Sequence, residues 1–365
     1  MAQRLNIPFT NLYQQYLECQ SEIDRAIRDT IASSSFITGL DVTDFETTMA
    51  AYVGAEDCAS TGSCTTALMC SLRAAGVGPG HEVLTTPHTF VATTGAICAV
   101  GAEPVFVDID PHTHLMDLSL LELGITPRTR AVLFVDIYGQ CADLSRIRDM
   151  CNRHGLAMIQ DAAHSLGGTW RSAPIGSQAD YTCFSFNPVK NLGAMGDAGC
   201  VTGSRDNMER VRVFRDHGRT ARYEFSELGW NARIDNIQAN IVRAKLPRLQ
   251  GWIDKKNHIA SIYDRGLSDV VKVISPHPDS GHARYVYVIQ TPQRDQLKAH
   301  LHSRGISTNI HYATTTHTQP AFAAWSRPCV VAERTVKEIL SLPCWPNMTP
   351  EMIDTVISAI QEYMQ

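Results

Sequence analysis

The chain has no pair of cysteines at C-x-x-C spacing, no apolar run of eighteen residues, no cluster of lysines and arginines, and no internal repeat. Each absence excludes a class. Without paired or regularly spaced cysteines, the eleven thiols read as reduced core residues, as with Cys98 inside TTGAICAVGAEPVFV, and not as a disulfide framework or a metal site. Without a long apolar run no membrane span is expected, and MAQRLNIPFTNLYQQYL carries no apolar segment with a cleavage site, so the chain reads as cytoplasmic. Charged residues make up only 19% and the net charge is −5, which argues against a nucleic-acid partner.

What is present is 365 residues, 44% of them hydrophobic, enough for a large and a small domain with substantial cores. Tyr16, Ile23, Ile27 and Ile31 recur at multiples of helical spacing in QQYLECQSEIDRAIRDTIAS and predict one amphipathic helix. From about residue 57 short apolar runs (DCAST, EVLTT, PVFVDI, AVLFVD, LAMIQD) alternate with helical stretches such as TTALMCSLRAAG and ADLSRIRDMCNRHG. That rhythm predicts an α/β fold over about 55–245: a mostly parallel sheet covered by helices on both faces. Residues 226–260 read as a long helical connection and RYVYVIQT as a strand, followed by a helix over RDQLKAHLHSRG. The expected division is a large domain over 1–250, N-terminal helix included, and a smaller α+β domain over 251–365.

In an open parallel sheet, ligands gather where strands end and helices begin. Gly62 and Ser63 follow DCAST and open a helix, an arrangement suited to an anion, although small residues cap helices everywhere. Phe90 follows EVLTT, and Asp161 and His164 follow LAMIQ. Asp161 ends a strand that should be buried, so it either pairs with a cation or caps the next helix. Ser185 and Lys190 follow YTCF in FSFNPVKNLGAMGDAGC, where Pro188, Gly193, Gly196 and Gly199 rule out a long helix and place the lysine in a shaped turn. Alone, each is ordinary. Together they match one ligand, pyridoxal 5′-phosphate, which needs an amine for a Schiff base, an anion cradle, a carboxylate for its ring nitrogen and a flat side chain on its ring face.

FSFNPVKNLGAMGDAGC resembles the F-S-F-x-x-x-K-N-L-G-x-x-G-D-G-G pattern of the DegT/DnrJ/StrS sugar aminotransferases, which have the aspartate-aminotransferase-type fold. GVGPGHEVLTTPHTFVATTGAICAVGAEPVFVDIDP, QDAAHSLGG, GWNARIDNIQANI, HYATTTHTQPAF and SLPCWPNMT are similar to family segments in family order, so the resemblance spans nearly the whole chain. It implies that Lys190 is the Schiff-base lysine and proton shuttle, that Asp161 pairs with the pyridinium nitrogen, and that His164 hydrogen-bonds near the phenolic oxygen. Gly62, Ser63 and Ser185 would hold the phosphate and Phe90 would stack on the ring. Asn231 would reach the phosphate of a neighbouring subunit, which implies a homodimer with shared sites. Arg233 would contact an anionic group on the sugar, with His311, Tyr312 and His317 near the sugar site.

The implied activity is transfer of an amino group from glutamate or glutamine to a ketone on a nucleotide-linked sugar. The alternatives are a keto-inositol acceptor or a cofactor-binding relative without catalysis. A sugar dehydratase of the same fold would carry histidine where this chain has Lys190. HGRTARY with NARIDNIQANI resembles enzymes acting on 3-keto sugars more than on 4-keto sugars. Three positions depart from the pattern: Gln160 where Glu is usual, Ala198 for glycine, and Ala232 where Tyr or Ser often sits. His88, His112, His114 and His154 read as surface or turn residues, the acids of VFVDID as the end of a strand, and Arg215, Arg219 and Arg222 as a solvated face or a diphosphate contact.

Overall fold

The computed structural model describes residues 6–365. Its centre is a seven-stranded sheet containing β1 (Asp57–Thr61), β2 (Glu82–Thr85), β3 (Glu103–Phe106), β4 (Thr129–Val135) and β5 (Ala157–Asp161), with later strands at Tyr181–Ser185 and Gly199–Gly203. The order across the sheet is β1, Gly199–Gly203, Tyr181–Ser185, β5, β4, β2, β3. All strands run parallel except Gly199–Gly203, which pairs antiparallel with both neighbours.

Alternation along each strand feeds two cores. Val132 and Phe134 of β4 and Met158 of β5 point into one, Ala131, Leu133 and Ile159 into the other. The first core is closed by helices α3 (Leu40–Val53), α6 (Leu144–His154) and α8 (Asn236–Lys245), the second by α4 (Cys64–Ala74), α5 (Val91–Ala99) and α7 (Arg205–Arg215). Burial on both faces is why these strands read as continuous apolar runs. The ends of α6 are legible in its sequence: the Asp143 side chain accepts from the Arg146 N–H at 3.0 Å, and Gly155 leaves the helix in the left-handed region at φ 63°.

A third core gathers residues of the C-terminal part around a three-stranded antiparallel sheet, Lys272–Val273, Tyr287–Gln290 and Ile339–Leu342, with α10 (Arg294–Ser303) and α12 (Pro350–Met364). Helix α9 (Leu249–Leu267) joins the two parts: Leu249, Trp252 and Ile253 pack into the first core, and Ile259, Tyr263 and Leu267 into the third.

Some local expectations do not hold. The N-terminal helix is two, α1 (Leu12–Leu17) and α2 (Gln20–Ser33), because Cys19 leaves helical geometry at φ −129°; Ile31 is exposed and outside the stripe. Residues 226–235 form no helix, and the helical connection begins only at Asn236. The strand in RYVYVIQT is limited to Tyr287–Gln290, which leaves Tyr285 free to face elsewhere. His88 and His114 are buried, not superficial: both ring systems contact the Tyr138 hydroxyl, His88 Nε2 at 2.6 Å and His114 Nδ1 at 3.4 Å. His112 and His154 are exposed. Asp108 of VFVDID lies two residues past the end of β3 and accepts from the Val331 and Ala332 N–H groups. Arg215 is not solvated either; it is paired with Glu46.

The cysteines are free thiols, all buried except Cys64 and Cys98. No helix among the described residues is long and apolar enough to cross a membrane.

Candidate active site

At the C-terminal ends of β1, β2, β5 and Tyr181–Ser185 lies a cavity of roughly 310 Å³. Ser63, Phe90, Asp161, His164, Ser185 and Lys190 line it, as do His311 and Tyr312 from the C-terminal part. Eight of the residues expected from the sequence therefore meet in one place.

Lys190 arrives on a tight turn. Its N–H donates to the Asn187 carbonyl at 2.9 Å, and Ala194 N–H returns to the Phe186 carbonyl at 2.7 Å. Gly193 is required there, since a Cβ would sit 2.3 Å from the Pro188 oxygen. The ammonium hangs 4.2 Å from the centre of the Tyr285 ring. Burial lowers its pKa to about 8, against smaller opposing effects of Cys64 and Asp161. A substantial neutral fraction near pH 7–8 is what a nucleophilic amine needs.

Asp161 closes β5 and is 5% exposed. Thr93 Oγ1 donates to Oδ2 at 2.7 Å and the Ala163 N–H to Oδ1 at 3.2 Å; Cys64 Sγ lies 3.9 Å from Oδ1. Burial raises its pKa, while these donors and Lys190 pull the other way. A buried carboxylate held by neutral donors and facing a cavity favours a cationic ligand atom.

His164 is stacked on Tyr285, with ring centroids 4.1 Å apart. Its Nδ1 accepts the Tyr138 N–H at 3.3 Å, which places the ring proton on Nε2, where it donates to the Tyr312 hydroxyl at 3.3 Å. Tyr312 can then direct its own proton elsewhere. Burial first, then Lys190, holds the His164 pKa well below its ordinary value, so the ring is neutral. Phe90 remains 55% exposed, its ring tilted beside Tyr312 with centroids 5.6 Å apart.

The unengaged donors at the start of α4 sit one step further along the chain than the expected Gly62 and Ser63. Gly62 N–H donates to the Ala232 carbonyl at 2.7 Å and is not free. Ser63 and Thr66 form a reciprocal cap that satisfies both of their N–H groups. The orphan donors at the start of α4 are therefore those of Cys64 and Thr65, both lining the cavity with Ser185.

Besides Gly62, three expected residues lie outside the cavity of this chain. Asn231 accepts from Arg233 at 2.8 Å, and Arg233 also pairs with Asp216. His317 is 1% exposed, hydrogen-bonded to Glu333 of α11 (Val330–Glu338) at 3.1 Å and packed against Phe106. Conversely, Cys64, Thr65, Thr93 and Tyr285 line the site although the sequence pattern does not point to them. Thr93 stands three residues after Phe90, a spacing that marks it; Tyr285 falls within the expected strand RYVYVIQT.

Residues 18–361 match the DegT/DnrJ/EryC1/StrS aminotransferase family. The chain belongs to this family. DegT/DnrJ/EryC1/StrS enzymes are pyridoxal-phosphate-dependent aminotransferases, and this protein is one. It is 39% identical to a pleiotropic regulatory protein of Geobacillus stearothermophilus, over 98% of this chain and 99% of the relative. It is 35% identical to the dTDP-3-amino-3,4,6-trideoxy-α-D-glucose transaminase of Streptomyces venezuelae, over 100% of this chain and 98% of that one. The crystal structure of S. venezuelae DesV in complex with a ketimine intermediate superposes with a TM-score of 0.96 at 35% identity, covering 99% of each chain.

The residues present fit the family's cofactor. The free N–H pair of α4 suits a phosphate, the uncompensated Asp161 carboxylate a protonated ring nitrogen, and the Lys190 amine an aldehyde. When bound, pyridoxal phosphate supplies an electron sink that stabilises negative charge on the carbon losing or gaining the amine.

Proposed function

We propose that the enzyme takes its amino group from glutamate or glutamine and delivers it to a keto carbon of a nucleotide-linked sugar. The observation that carries this is the full-length likeness to an enzyme named for a dTDP-amino-sugar product, combined with a cavity that sets Lys190 and Asp161 on one surface. The position of the amine in that name, and the HGRTARY and NARIDNIQANI segments, support a 3-keto acceptor.

In this reading Lys190 Nζ would carry a proton between the substrate carbon and the cofactor in each half-reaction, for which a pKa near 8 suits both directions. Asp161, fixed by Thr93 and Ala163, would pair with the protonated ring nitrogen. Ser185 with the Cys64 and Thr65 amides would hold the phosphate, and Phe90 would stack on the ring. Neutral His164, through the Tyr312 hydroxyl, presents a directed donor, with His311 beside it.

Asn231 and Arg233 are assigned to the cavity of a second subunit in a homodimer. Their place outside this chain's own cavity supports that, as do the exposed apolar side chains of Tyr223, Phe225 and Leu228 on the same segment. The parts 1–250 and 251–365 serve as the cofactor-binding and the smaller domain.

The test is to convert the cofactor to its amine form with glutamate, separately with glutamine, and mix the product with a panel of keto-sugar nucleotides and keto-inositols. Recovery of the visible absorbance of the lysine-bound cofactor with a 3-keto-sugar nucleotide is expected. Recovery with keto-inositols alone would replace the acceptor in this assignment.

A further inference from the structure

Two buried lysines away from the chemistry have no acidic partner. Lys245, the last residue of α8, is 5% exposed, and Lys256 on α9 is 7% exposed. Neither ammonium forms an ion pair among the described residues; every bond they make is to a neutral oxygen. Burying a cation without a counter-charge is unfavourable, so these positions call for an explanation beyond stability.

Their acceptors supply it. Lys245 Nζ donates to the Gly193 carbonyl and, at 3.1 Å, to Gln15 Oε1. Lys256 Nζ donates to Asn191 Oδ1 at 2.8 Å and to the Tyr285 carbonyl at 2.9 Å. Gln15 on α1 donates in turn to the Asn191 carbonyl at 3.1 Å, and Asn191 Nδ2 donates to the Ala283 carbonyl at 2.6 Å. Every path ends on the turn carrying Lys190 or on the segment carrying Tyr285, whose ring lies under the Lys190 amine and stacks on His164.

We propose that Lys245 and Lys256, with Gln15, are positioning residues: they clamp the Lys190 turn to the Tyr285 segment and so fix where the Lys190 amine stands in the cavity. A short 3₁₀ turn, Leu246–Arg248, separates α8 from α9 and lets lysines on two helices reach one loop. A charged donor holds a carbonyl more tightly than a neutral one, which suits a turn whose own closure rests on few backbone bonds. A second cavity of about 120 Å³, bordered by Gln15, Lys190, Asn191, Lys256 and Tyr285, leaves room for the turn to shift if the clamp is released. Burial lowers both lysines to about 8, so they remain charged donors below that pH.

The proposal rests on Lys190 being the reacting amine. The variants are Lys245→Met, Lys256→Met and Gln15→Leu in the holoenzyme, with Lys190→Ala as the control for that premise. Gln15 is half-buried on a short surface helix, so its variant keeps the test open if a lysine variant fails to fold. The glutamate half-reaction is expected to slow by about tenfold or more at saturation, because small misplacements of a reacting group are costly, with KM within about twofold of wild type. Amide exchange over 190–193 should quicken while the folding midpoint holds. A folded Gln15→Leu or lysine variant with a wild-type saturated rate would overturn the clamp, as would rate and KM changing together without faster exchange. A Lys190→Ala protein that keeps the visible lysine–cofactor band would instead overturn the premise.

Discussion

Gly199 is pressed against Ser63: a Cβ at Gly199 would sit 2.5 Å from the Ser63 carbonyl carbon and 2.6 Å from the Cys64 nitrogen. The antiparallel strand Gly199–Gly203 thus sets the height of the first turn of α4, where Cys64 and Thr65 line the cavity. Gly199→Ala should cost about 1–3 kcal/mol of stability by overpacking. It should also weaken cofactor binding about tenfold, or about 1.4 kcal/mol, by displacing those amides. Titration of the cofactor-free variant checks this; an unchanged affinity would show that the start of α4 does not grip the phosphate.

Lys190 gives a pH prediction with a definite sign. Its folded pKa, about 8, lies below the ordinary lysine value of 10.5, so burial favours the neutral amine. Between about 8 and 10.5 the unfolded chain binds the extra proton, and the Lys190 contribution to stability rises with pH; it is lost as pH falls through 8. Only the neutral amine adds to an aldehyde. The rate at which cofactor-free protein takes up pyridoxal phosphate should climb about tenfold per pH unit below 8 and level off above it. A rate still climbing at pH 10 would mean that the amine is not desolvated.

The strands that build the site were legible because parallel, two-sided burial leaves an unmistakable apolar run, and β4 alternates between its two cores as such a strand must. Lys190, Asp161, Ser185 and Phe90 were legible because each follows such a run. The remainder depended on partners far along the chain. Gly62 looked like a free donor until Ala232, brought against it by the fold, accepted its N–H. His88 and His114 looked superficial because nothing in their neighbourhoods announces Tyr138, which enters at a positive φ of 65° and gathers both rings. Tyr285 shares the parity of Tyr287 and so looked like strand, yet the ladder starts only at Tyr287.

Gln160, a departure from the family pattern, has a reason in this chain. Its Nε2 donates to Asp136 Oδ2 at 2.7 Å, alongside Ser165 at 2.7 Å and the Ala142 N–H at 3.1 Å on Oδ1. Burial nevertheless pushes Asp136 up to about 7, so its ionised form depends on those donors. Gln160→Glu would exchange a donor for a second buried acid, raising the pKa of the pair further. A group raised on folding stabilises below its unfolded pKa, and that contribution is lost as pH rises through the folded value. The variant should therefore resemble wild type near pH 4, below the ordinary glutamate value of 4.5, and lose about 2 kcal/mol or more relative to it at pH 8. Denaturant midpoints at the two pH values decide this, and a pH-independent difference would count against it.

Asp161 and Thr93 allow charge and orientation to be separated. Asp161→Asn keeps the shape and hydrogen-bonding capacity at the end of β5 but removes the charge that would hold a proton on a ring nitrogen. The saturated half-reaction should fall by about 10²-fold or more, the scale of losing one partner of a buried ion pair. Thr93→Val keeps the charge and deletes the 2.7 Å bond that aims Oδ2, an effect of about 1 kcal/mol or roughly fivefold. Both variants should leave KM for glutamate nearly unchanged, since neither side chain is assigned to the donor. The ordering carries the argument: equal losses in the two variants would mean that Asp161 acts through its hydrogen bonds and not through its charge.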